Sequence, residues 1–163
     1  MLADIAGGNG NDHVIGTHID SLGRVLMAGV SAAGGGAFDM FVGRLTDAGV
    51  LDATFGTTGL LHSHGLVTGG TFDIGQDVWT DELDNVVVLG GSADPSGVSS
   101  PALWRFTADG VADTCLGASG TLVFDATRRS VTRALRDGRG RIVAIGSSTT
   151  AATEDMLMYR FER

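Results

Sequence analysis

Three stretches of the chain repeat one another: DSLGRVLMAGV from Asp20, DELDNVVVLGG from Asp81 and DGRGRIVAIGS from Asp137, at spacings of 61 and 56 residues. A repeat of this length constrains the fold more than any other feature. It is one supersecondary unit that must stack on its neighbours to bury an apolar face. A second alignment extends the register: GRLTDAGVLDATFGTTGLL from Gly43 matches WRFTADGVADTCLGASGTL from Trp104, again 61 apart. The closing YRFER sets Arg160 beside Arg44 and Arg105. Upstream, Asp12 matches Asp73, and Gly7-Gly8 matches Gly69-Gly70 within one residue. The chain therefore reads as a single repeat domain over 1–163, with units near 12–64, 73–125 and 129–163.

Each unit reads as strands. VLMAG, VVVLG and IVAIG are short apolar runs opened by a turn and closed by Gly, the pattern of buried strands. DHVIGTHID precedes the first of them as a leading strand that ends at a D-x-x-G turn. MFVGRL, ALWRF and MLMYRF form a third strand, with apolar residues alternating around the Arg. TDAG and TADG are turns in which Asp supplies a local hydrogen bond and Gly the positive φ. GLLHS and GTLVFD follow as an outer strand. Helix periodicity is absent. Twenty-six glycines with two prolines and 43% apolar residues fit short strands joined by tight turns, and exclude a disordered chain. The expected fold class is all-β: a β-propeller with three four-stranded blades per chain.

This pattern resembles the delta-60 repeat family, whose members carry a D-G-[KR]-[IV]-[VL]-x-x-G core, an A-R-[YF]-x-x-[DN]-G turn and an L-D-x-[TS]-F-G tail. Here the core is LGRVLMAG, LDNVVVLGG and RGRIVAIG, the turn GRLTDAG and WRFTADG, and the tail LDATFG and ADTCLG. Leu22, Leu83 and Arg139 replace the core Asp, and Leu116 replaces the tail Phe in the second unit. The resemblance covers essentially the whole chain. It implies a bacterial β-propeller repeat and assigns no chemistry to any residue.

Net charge is −8 with no lysine, which argues against a nucleic-acid surface. The charge is uneven: residues 1–127 hold 3 Arg against 15 Asp and Glu, and residues 128–163 hold 8 Arg against 4. Propellers run from about four to eight blades, so three do not close, whereas two copies give six. The expected partner is a second copy. In that homodimer residues 1–5, which align with the end of an outer strand, complete the partner's third blade along the open edge MLMYRF. MLADIAGG has neither a basic nor an apolar region of a signal peptide. No apolar run approaches the ~20 residues of a membrane span. The reading is a soluble chain, cytoplasmic as it stands and extracellular if cut from a longer secreted one, with no membrane or nucleic-acid partner.

Few residues suggest chemistry. GGNGNDHVI, from Gly7 to Ile15, fits the calcium-binding nonapeptide G-G-x-G-x-D-x-U-x. The next nine residues, GTHIDSLGR, do not repeat it, and GGTFDIG in the second unit breaks its spacing, so neither calcium nor another cofactor is expected. His62 and His64 share one strand face at a metal-ligand spacing, without a third ligand at a readable offset. Inner strands line a propeller's channel, and there the alignment stacks Gly16, Asp77 and Arg133 at one level and His18, Trp79 and Leu135 at another. His18, Asp77, Trp79 and Arg133 are thus the channel candidates, with Asp77 and Arg133 read either as an anion or substrate site or as a satisfied ion pair. Arg44, Arg105 and Arg160 recur in every unit and are expected to serve the module, bonding Asp52 and Asp113. Cys115 aligns with Thr54 and is a poor nucleophile candidate. No G-x-S-x-G, H-E-x-x-H or Walker pattern is present, so no catalytic residue is assigned. The expected function is a binding or interaction scaffold for a small molecule, glycan or protein; the alternative is a propeller hydrolase or lactonase with a channel site.

Overall fold

The Asp that opens each repeated core closes a loop on its own backbone. Asp20 accepts the N–H groups of Leu22 (2.9 Å) and Arg24 (2.9 Å), and Asp81 accepts those of Leu83 (2.8 Å) and Asn85 (3.0 Å). Asp137 accepts the Arg141 N–H at 3.0 Å. In each case the Asp N–H returns to the carbonyl four residues on, at 2.9 to 3.0 Å. A side chain that mimics the backbone in this way reverses the chain over a few residues and hands it from one strand to the next.

A computed structural model of the chain describes residues 10–34, 36–117, 119–124, 129–137, 141–149 and 153–161. All the regular elements among them are strands, so no helix is long and apolar enough to cross a membrane. The first repeat comprises β1 (Asp12–Ile19), β2 (Val25–Gly34), β3 (Ala37–Leu45) and β4 (Leu60–Ser63). The second comprises β5 (Phe72–Thr80), β6 (Val86–Ala93), β7 (Ser99–Phe106) and β8 (Thr121–Val123), and the third β9 (Arg129–Arg136), β10 (Ile142–Thr149) and β11 (Glu154–Phe161). Within each repeat successive strands pair antiparallel. A parallel bridge from Phe38 to Phe72 joins the first two meanders into one eight-stranded sheet, and β9–β11 form a separate sheet. The architecture is all-β and consistent with a β-propeller-like fold, with sheets that do not close into a ring. Residues 1–5, expected as an exchanged strand, lie outside the described residues.

The first two repeats share most of their turn bonds at the 61-residue offset, differing where Gly59 N–H donates to Phe55 O but Gly120 N–H to Gly117 O. Arg44 N–H donates to Gly59 O (2.9 Å) as Arg105 N–H does to Gly120 O (2.7 Å). Thr46 and Thr107 donate to Val50 and Val111, and Asp52 and Asp113 donate back to Arg44 and Arg105. The glycine ending each core run has a steric cause. A Cβ on Gly29, Gly90 or Gly146 would stand 1.8, 1.8 or 1.9 Å from the carbonyl oxygen of His13, Ile74 or Ser130 on the paired leading strand. The close approach accompanies a bulge that the sequence does not announce: pairing skips Ile15 in β1, Gln76 in β5 and Thr132 in β9. Outer-strand packing is individual instead. Gly43 pairs with Leu60, whose Cδ2 would lie 2.8 Å from an added Cβ, whereas the equivalent Trp104 pairs with Thr121.

The core lies between successive meanders. Leu26, Ala28, Met40, Val42 and Phe55 of the first repeat pack with Val78, Val86, Val88, Ala102 and Trp104 of the second. Trp79, Val87, Leu89 and Leu103, largely on the second repeat's other face, pack with Val131, Ala144, Ile142, Tyr159 and Phe161 of the third.

Candidate functional site

The three leading strands carry the sequence-predicted channel residues, and the two predicted levels have different fates. At the level of Gly16, Asp77 and Arg133 the strands are sealed together. A Cβ on Gly16 would lie 2.9 Å from Asp77 Cα and 3.0 Å from Gln76 O, so β1 sits directly against β5 there. Asp77 Oδ2 accepts the Ala134 N–H of β9 at 2.9 Å, and Arg133 Nη1 donates to Gln76 O at 3.2 Å. Asp77 and Arg133 do not form an ion pair with each other. Each bonds the other strand's backbone, because the bulges at Gln76 and Thr132 bring unpaired main-chain groups within reach first.

The second level opens into a cavity. His18, Trp79 and Leu135, one from each repeat, line a space of about 510 Å³ together with Ser21, Thr80, Asp84 and Arg136. Asp81, Glu82 and Ala134 complete its wall. His18 Nε2 lies 3.4 Å from Thr80 Oγ1. Trp79 is 8% exposed, and its buried Nε1–H has no hydrogen-bond partner among the described residues. Two carboxylates are already committed: Asp81 to Asn85 and Arg105 (2.7 Å), and Glu82 to Arg136 (3.2 Å). Burial raises the Asp81 carboxyl, but the Asn85 and Leu83 donors and the Arg105 charge outweigh it and hold it below its ordinary 3.8. Among the described residues the Asp84 carboxylate accepts a hydroxyl alone, that of Ser21 at 3.0 Å. It does so from left-handed backbone, φ 58°, at the place where the first repeat has Gly23 with φ 78°. A carboxylate kept on backbone that suits glycine, at the rim of a cavity, was not singled out from the sequence. The register that sets Gly23 over Asp84 held the clue.

The remaining candidates are structural or peripheral. Arg44 is 1% exposed. It donates from Nε to Asp52 (2.8 Å), from Nη1 to Ala108 O of the second repeat (2.5 Å) and from Nη2 to Thr54 (3.1 Å), with Phe55 stacked 4.7 Å below. The Thr54 hydroxyl is the main force holding the Asp52 carboxyl below its ordinary value; burial opposes it, and Arg44 adds to it. Arg105 is more open and bridges Asp81 and Asp113, its Nε standing 3.1 Å from Asp113 without an aligned hydrogen bond. His62 is exposed on β4, while His64 pairs with Asp39, which raises the imidazole's affinity for a proton. Among the described residues no group of three or more His, Cys, Asp or Glu gathers. Of the nonapeptide, residues 7–9 lie outside the described residues, and Asp12 accepts the Ser31 hydroxyl at 2.7 Å. Its counterpart Asp73 is fully buried and accepts the Leu66 N–H through Oδ2; burial pushes its carboxyl up, against the pull of the Ser92 and Leu66 donors.

A protein-family model described as a domain of unknown function (DUF5122), beta-propeller, matches residues 83–114, the stretch from the second Asp turn to the second tail. Comparison with curated proteins and with solved structures finds no match.

Proposed function

We propose that the chain is a propeller-type binding module whose ligand, a small neutral polar molecule such as a glycan unit, occupies the cavity between His18, Trp79 and Leu135. One observation carries this reading: three strands some 60 residues apart in sequence deliver an imidazole, an indole and an apolar side chain to one space of about 510 Å³. Asp84 and the Ser21 and Thr80 hydroxyls supply acceptors and donors for hydroxyl groups, and Trp79, Leu135 and Ala134 supply an apolar wall. The excess of carboxylates over free cations at the rim disfavours an anion. A propeller hydrolase would need an activated nucleophile, and the contact of 3.4 Å between Thr80 and His18 is long for one. No carboxylate bonds His18 among the described residues.

Calorimetric titration with a panel of neutral mono- and disaccharides tests the proposal. Asp84→Gly restores the first repeat's residue, so it should leave thermal stability unchanged or higher while weakening binding at least about tenfold, the worth of one or two hydrogen bonds to a charged group. Absence of binding at millimolar sugar, or binding that Asp84→Gly and His18→Ala leave unchanged, would refute it.

A further inference from the structure

We infer that the outward face of the third repeat is a docking surface for a second copy of this chain. Every repeat has a face that meets the next one. In the first it is Leu26, Ala28, Met40 and Val42, closed over by the second repeat. In the second the equivalent residues are Val87, Leu89, Leu103 and the added Trp79, all buried at 8% or less against the third repeat. Strand register carries the equivalence into the third repeat. Val143 pairs with Leu135 and Arg160, Ile145 pairs with Arg133 and Met158, and Ser147 pairs with Met156. Directly opposed residues share a face, so Leu135, Val143, Ile145, Met156 and Met158 occupy the places of Trp79, Val87, Leu89, Pro101 and Leu103.

Those positions are more open, with Val143 and Ile145 half-buried and the other three exposed. Leu135 is 66% exposed, Met156 86% and Met158 63%, while the opposite face, with Ala144 and its neighbours, is packed on the second repeat. A contiguous apolar face of this kind marks an interaction site, and its two precedents within the chain say what it accepts: the flank of another meander. Charge selects the copy. The face carries Arg133 and Arg160 and belongs to the segment with 8 Arg against 4 acids, whereas residues 1–127 hold 15 acids against 3 Arg. Two such faces set against each other would oppose like charges, so the contact runs from the basic third repeat of one chain to the acidic body of the other, made twice around a twofold axis. This contact lies on the sheet face and is independent of strand exchange along β11. It also reaches the cavity, since Leu135 belongs to both, so a second copy would add a wall that the single chain lacks.

Analytical ultracentrifugation of the unliganded chain at about 1 to 100 µM tests the inference without reference to any ligand, so its failure and that of the cavity reading are separable. The expected result is twice the chain mass, weakening as salt rises from about 0.05 to 0.5 M because charge steers the contact. Met156→Glu and Met158→Glu should each shift the dissociation constant upward by at least about tenfold with unchanged circular dichroism, because the side chains are already in solvent in the single chain. A monomer throughout the range, a mass other than twice the chain, or a dimer indifferent to both methionine changes would overturn it.

Discussion

At the scale of single residues, the contrast between Arg44 and Arg105 separates position from burden. They are equivalent in sequence, yet only Arg44 is enclosed, with its fork shared between Asp52, Thr54 and a carbonyl of the next repeat. Arg44→Met strands a buried carboxylate and is expected to cost about 3–5 kcal/mol. Arg105→Met, at a half-open pair, should cost about 1 kcal/mol or less. Urea unfolding of the two variants measures the difference, and equal losses would mean that Arg44 is not the linchpin of its junction. Glycines divide in the same way. Gly90→Ala drives a methyl into Ile74 O and must part β5 from β6, with an expected loss of about 3 kcal/mol or more. Gly36→Ala meets nothing within 4 Å and bears only the penalty of its φ of 85°, about 1–2 kcal/mol. Thermal melts that rank Gly36→Ala as the worse would contradict the close-approach explanation.

At the scale of the element, the Asp turn is an acid-sensitive hinge between strands. Burial raises the Asp20 carboxyl, but the Arg24 side chain and the Arg24 and Leu22 amides more than offset it and leave it below 3.8. A folded-state value below the unfolded one gives stability that is present above about pH 4 and lost as pH falls through the folded value. Asp73 has the opposite sign: raised by burial, it favours the fold most at low pH and opposes it as pH rises through its folded value. Asp20→Asn should therefore lower stability at pH 7 by about 1–2 kcal/mol, the worth of charge-assisted bonds, and have little effect near pH 2. Asp73→Asn should raise stability at pH 7 and have little effect near pH 2. Paired melts at the two pH values check both signs. The turns were legible in the sequence, because an Asp followed at fixed distance by an apolar run has one economical use. The bulges were not. Ile15, Gln76 and Thr132 share no chemistry, and a skipped residue resets the alternation of every side chain beyond it. For that reason the sequence gives the level shared by His18, Trp79 and Leu135 but not the face they turn, and it sets Asp77 beside Arg133 without showing that backbone groups intercept both.

At the scale of the molecule, stacking explains why two faces of the same sheet differ. A residue buried in one repeat and exposed in the next, as Leu103 and Met158 are, has not changed its local setting; it has lost a neighbour. Alignment showed the equivalence and could not show which side was covered, since that depends on a contact between sheets and not on any property of the strand. The agreement of the first two repeats in their backbone bonds has its own cost. During folding β3 could accept β8, or β7 accept β4, with most of the main-chain bonds kept. Gly43 with Leu60 and Trp104 with Thr121 remove that freedom. Exchanged, an indole would collide with a leucine on one side and a threonine would leave a hole on the other. Large against small, inverted from one pair to the other, works as a proofreading code by which near-identical parts find their proper mates.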